Sequence, residues 1–119
     1  KLGKAPNRDP SYYTSQEQMV REILDRYNIL YEHNKRYCRI NGNGRRVYYW
    51  VDFYLPVYNI ILEVSPSIWH CLWNREKSDR EKRLFFRSLG IVVYDLTDRV
   101  LKSKKRLEEI IKRICRIDH

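Results

Sequence analysis

Residues 47–70 read VYYWVDFYLPVYNIILEVSPSIWH. This is the stretch that most limits what the chain can become. Its Tyr, Val, Ile and Trp content predicts two strands, Val47–Leu55 and Asn59–Val64, joined by a tight turn over Pro56–Asn59. Two acids interrupt the apolar run: Asp52 on the first strand and Glu63 near the end of the second. A carboxylate among buried apolar neighbours is costly unless it is paired, hydrogen-bonded or bound to a metal. Two on adjacent strands, followed by His70, are the pattern of a site that collects a divalent cation.

The rest of the chain reads as support for that hairpin. Thr14 and Glu17 form a T-x-x-E capping box, and Met19, Val20, Ile23, Leu24 and Tyr27 recur at helical spacing up to a stop near Asn28. Leu30–Ile40 alternates as a strand, and Asn41-Gly42-Asn43-Gly44 signals a hairpin turn. Asn74–Leu89 reads as a second helix closed by Gly90, and Ile91–Leu96 as a strand. A last helix, Lys104–Ile117, is capped by Ser103. The order is α-β-β-β-α-β-α. A strand–helix–strand passage implies a right-handed crossover and a parallel pair at one edge of the sheet. The expected fold is therefore α/β: one mixed central sheet flanked by helices, over residues 14–119, after a polar, proline-containing arm at 1–13.

Charge narrows the partner. The chain carries 24 Lys and Arg against 15 Asp and Glu, a formal net charge of +9, which favours a polyanion and nucleic acid above all. Lys35, Arg36 and Arg39 precede the hairpin turn, and Arg45 and Arg46 follow it, so five cations near one hairpin are candidates for phosphate contact. Large rings in the loop after Val64, Trp69 among them, serve either the core or a partner. Cys38, Cys71 and Cys115 are scattered and form no C-x-x-C pair, against both a disulfide framework and a zinc cluster. No apolar run approaches the roughly 20 residues of a membrane span, and residues 1–10 have no secretory core, so a cytoplasmic or nucleoid setting is expected.

The acids define a chemistry. Asp52 and Glu63 would hold Mg²⁺ (or Mn²⁺), and His70, six to seven residues beyond Glu63, would serve as general base on a bound water. Glu17 has a sufficient structural role as a cap, and a functional one if its turn faces the hairpin acids.

Asp52…Glu63-x-Ser65 resembles the core of the PD-(D/E)XK, restriction-endonuclease-like nuclease superfamily. The wider pattern D-F-Y-L-P…I-I-L-E-V-S…W-H…G-I-V-V resembles very-short-patch repair endonucleases and EDxHD homing endonucleases, over residues 14–115. The resemblance implies that Asp52 is the central metal-binding aspartate and Glu63 the second acid. It implies that Glu17 acts through metal-bound water and that His70 activates water. Asp79 would orient His70, and a main-chain carbonyl at Val64 or Ser65 would add a metal ligand. Ile68 and Trp69 would wedge into duplex DNA. Two features depart from the pattern: Ser65 stands where the superfamily has lysine, with Lys77 as a candidate substitute, and no structural zinc cluster is evident.

These readings together predict a Mg²⁺-dependent endodeoxyribonuclease acting on duplex DNA, with Arg45, Arg46, Arg36, Lys35, Trp69 and Lys77 as nucleic-acid contacts. The chain would act as a monomer or homodimer, alone or within a larger polypeptide. The alternatives are a catalytically silent nucleic-acid-binding module of the same fold and a homodimeric Holliday-junction resolvase.

Overall fold

The structure, a computed structural model, describes residues 13–64 and 75–117, with side chains of the second segment described from residue 80. The order is α1 (Ser15–Arg26), β1 (Glu32–Ile40), β2 (Arg46–Leu55), β3 (Ile60–Val64), α2 (Arg75–Ser88), β4 (Val92–Leu96), α3 (Asp98–Leu101) and α4 (Lys104–Ile114). The strands form one mixed sheet in the order β1-β2-β3-β4, antiparallel except for the β3–β4 pair, which is parallel. This is the expected architecture, with α3 as an addition. Four residues are too short a helix to leave a periodic signal.

Local chemistry accounts for the boundaries. The Thr14 hydroxyl accepts from the Glu17 amide at 3.1 Å, and the Glu17 carboxylate accepts from the Thr14 amide at 3.2 Å, so the capping box closes as expected. Asn28 leaves α1 in the left-handed region at φ 56°, and Gly90 leaves α2 at φ 77°. In the β1–β2 turn the positive φ falls on Gly44, at 78°, rather than on Gly42. The Asn41 side-chain oxygen accepts from the amides of Asn43 and Arg45 and closes a longer loop than a two-residue Asn-Gly turn. The Pro56–Asn59 turn has both the Tyr58 and Asn59 amides bonded to the Leu55 carbonyl.

Two cores lie on the two faces of the sheet. On one, Phe53, Leu55, Ile60, Leu62 and Leu96 pack against α1, α3 and α4 through Val20, Ile23, Leu24, Leu101, Leu107 and Ile111. Tyr13, placed with the N-terminal arm by its sequence, packs against this core. On the other, Val51 and Ile61 pack against Phe86 of α2 and Ile91, with Tyr37, Tyr49, Tyr54 and Phe85 around them. Burying apolar area at about 25 cal/mol per Å² is the main stabilising term for such layers.

The hairpin breaks the rule that alternate residues share a face. Val51 belongs to the α2 core and Phe53 to the α1 core, although one residue separates them. On β1, the His33 ring packs against Phe53 while Lys35 lies over the rings of Tyr37 and Tyr54 on the α2 side. Both strands therefore change phase at the same level, at Asn34 and Asp52. The pairing resumes beyond it in unchanged register, His33 with Phe53 and then Lys35 with Val51. Asn34 adopts φ 55°, a left-handed conformation inside a strand, and both it and Asp52 are buried.

Candidate functional site

Asp52 stands at the point where the sheet opens. The β2–β3 ladder runs Leu55–Ile60, Tyr54–Ile61 and Phe53–Leu62 and then stops. The next free amide on β3, that of Val64, instead donates to Asp52 Oδ2 at 2.7 Å. The carboxylate thus takes the place of a ladder acceptor just past the last β2–β3 pair, where the two strands part. The sequence reading gave a main-chain carbonyl at Val64 or Ser65 as a metal ligand; the group that the structure joins to Asp52 is the Val64 amide.

Glu63 projects to the α2 side. Its Oε2 lies 3.2 Å from Lys82 Nζ, an ion pair whose angle is poor for a hydrogen bond. Burial pushes the Glu63 carboxyl up to about 7. Lys82 pulls it down, while Asp52, and after it Asp95, push it further up. Asp95 is the register partner of Glu63 across the parallel β3–β4 pair, and Arg83 binds its carboxylate and the Val93 carbonyl. Two neighbouring strands therefore present two carboxylates to α2, and successive residues of that helix answer them with a cation each.

Glu17 reaches the region from the opposite face. It is buried, holds the Thr14 cap, and its Oε1 lies 3.2 Å from His33 Nε2. The His33 ring stacks on Tyr13, at 3.9 Å, and lies tilted against Phe53, at 5.1 Å. Glu17 and Glu63 thus approach from the two sides of the sheet, with Asp52 at the phase break between them.

The structure brings Asp52 and Glu63 within electrostatic reach of one another. Among the described residues, no three His, Cys, Asp or Glu side chains form a metal-holding group. His70 and Trp69 lie outside the described residues, as do Ser65, Ile68 and the side chains of Lys77 and Asp79. Lys82, Asp95, Arg83 and His33 are the residues that sequence reasoning did not single out. The sequence reading named Lys77 as the candidate substitute for the missing lysine, and Lys82, five residues further along α2, is the lysine found against Glu63 among the described residues.

The hairpin cations also divide. Lys35 pairs with Glu32, and Arg39 donates to the Tyr49 hydroxyl and faces Glu81, all toward α2. Arg36 lies on the other side over Tyr48 and Trp50, and Arg45 and Arg46 are exposed at the hairpin tip. The five do not form one face, because the phase break decides which side each takes. Of the thiols, Cys38 and Cys115 are free, as expected, and burial pushes the Cys115 thiol up to about 11.

No family model and no curated protein matches the chain. Among solved structures, it is similar to the catalytic domain of the homing endonuclease I-Bth0305I. The match has a TM-score of 0.64 and 24% identity, and covers 89% of this chain and 100% of that one. At that identity the likeness establishes the fold.

Proposed function

We propose that this chain is a metal-dependent DNA endonuclease that hydrolyses backbone phosphodiesters. The observation that carries the reading is the juxtaposition at the opened sheet: buried Asp52 at the separation of β2 and β3, Glu63 beside it with 13% of its side chain exposed, and Lys82 against Glu63. The solved relative of the same fold is named as a homing endonuclease catalytic domain, which supports the reading. So does the net charge of +9.

The donors present suit a hard divalent cation. Asp52 and Glu63 offer carboxylate oxygens, and the raised Glu63 carboxyl is the state that a cation would relieve. Mg²⁺ or Mn²⁺ held by these two residues would supply charge neutralisation at the scissile phosphate. The chain's own residues do the remainder. The Lys82 ammonium, close to Glu63, is placed to stabilise charge developing on phosphate oxygens. His70 takes a proton from the attacking water, Asp79 orients His70, and Glu17 with His33 fixes the first turn of α1 beside the site.

Asp52→Asn tests this, since asparagine keeps an oxygen for the Val64 amide and removes the charge. Supercoiled plasmid is incubated with wild type and variant in Mg²⁺, Mn²⁺ or EDTA. Nicking should fall about a hundredfold or more in the variant, with an unchanged melting temperature. Equal nicking by both proteins refutes the assignment.

One observation favours the silent binding module as a second reading. Both acids already have protein partners, Asp52 the Val64 amide and Glu63 the Lys82 ammonium. That reading predicts salt-sensitive DNA binding with no Mn²⁺ affinity by calorimetry.

A further inference from the structure

Beyond the phase break, the outer half of the hairpin has two unlike faces. The one toward α2 is covered. The other presents Arg36, Cys38 and Ile40 from β1, and Arg46, Tyr48 and Trp50 from β2. Ile40 is 60% exposed and Tyr48 40%, on the side of the sheet that α1 covers only in the inner half.

This plate has internal order. The Arg36 guanidinium lies 4.9 Å from the centre of the Tyr48 ring and 5.9 Å from that of Trp50. Cation–π contact holds the guanidinium over the rings, and its N–H donors suit a bidentate contact with an oxyanion. Arg46 stands at the far end and Asp52 at the near one, with no other carboxylate among the residues of this face. The six residue steps from Arg46 to Asp52 span about 20 Å, which matches about six base pairs at 3.4 Å each.

We infer that this plate is a docking surface for the phosphodiester backbone of duplex DNA, with Arg36 as its pre-positioned phosphate fork. The inference rests on the nuclease reading for its orientation, because the plate leads directly to Asp52. Charge complementarity selects the occupant. Two arginines on an aromatic bed, with no carboxylate among the residues of the face and in a chain of net charge +9, fit a polyanion.

The test is equilibrium binding of a fluorescent duplex in EDTA, where no cleavage occurs, as a function of salt. Four proteins are compared: wild type, Arg36→Ala, Tyr48→Leu, and Arg106→Ala on the exposed start of α4 as a charge-matched control. Arg36→Ala should weaken binding about fivefold to tenfold and lower the salt slope by about 0.9. Tyr48→Leu changes no charge, so it should keep the slope yet weaken binding about threefold, because Arg36 is no longer held. Arg106→Ala should bind like wild type. Equal losses in Arg36→Ala and Arg106→Ala would reduce the plate to general charge attraction and overturn it. Wild-type affinity in both plate variants, or no duplex binding by the wild type, would also overturn it. Wild type that binds through the plate but never cleaves in Mg²⁺ or Mn²⁺ would overturn the nuclease reading and leave the plate standing.

Discussion

Glu63 carries the clearest single-residue consequence. Its carboxyl sits near 7 in the fold, against 4.5 as the ordinary value, chiefly because burial disfavours its charge. The folded state therefore holds this proton more tightly than the unfolded chain does. That contribution to stability is fully present below about pH 4.5 and is lost as pH rises through about 7. Glu63→Gln has no proton to lose. In metal-free buffer its stability relative to wild type should rise between pH 5 and pH 8, by about 3 kcal/mol at most. Urea midpoints at the two pH values check this, and a constant difference between the proteins contradicts it. Saturating Mn²⁺ should shrink the gap if Glu63 holds metal, because only the wild type would gain from binding.

At the scale of elements, the hairpin depends on Asn34. A residue at φ 55° in a strand costs about 1–2 kcal/mol for most side chains, less for Asn and nothing for Gly. Asn34→Gly should therefore keep the phase break and the fold. Asn34→Val should cost about 1–2 kcal/mol more than Asn34→Gly in urea unfolding and broaden the amide spectrum of β1. Most elements were legible in the sequence, for definite reasons. The capping box fixed the start of α1, Gly90 ended α2, and the apolar runs of β2 and β3 marked the buried strands. The phase break was not legible. Reading Val47–Leu55 as one uniform strand gives a single alternation, whereas Val51, Asp52 and Phe53 are all buried in succession. The five hairpin cations were accordingly treated as one group. Lys82 was out of reach for a related reason: its partner is fixed by how α2 crosses the sheet, and helical spacing alone does not give that.

At the scale of the whole molecule, β2 and β3 are shared by both cores, since Phe53 and Leu62 face one and Val51 and Ile61 the other. Neither layer is expected to melt alone. Phe53→Leu and Phe86→Leu, which thin opposite cores, should each lower stability by about 1–2 kcal/mol and leave a single transition by both fluorescence and circular dichroism. Separate transitions in either variant would show the layers to be independent. The phase break also has a bearing on how this chain can change over generations. Deletion of Asn34 alone would set the outer half of β1 one residue out of register with β2, and deletion of Asp52 alone would do the same from the other strand. Deletion of both would restore a regular ladder with the outer faces as they are, because His33 and Lys35, like Phe53 and Val51, already lie on opposite faces, but it would remove the acid in the same event. The two positions therefore form one heritable unit: descendants that keep a carboxylate between the strands must keep the extra residue in both, and only one of the two has to be an acid.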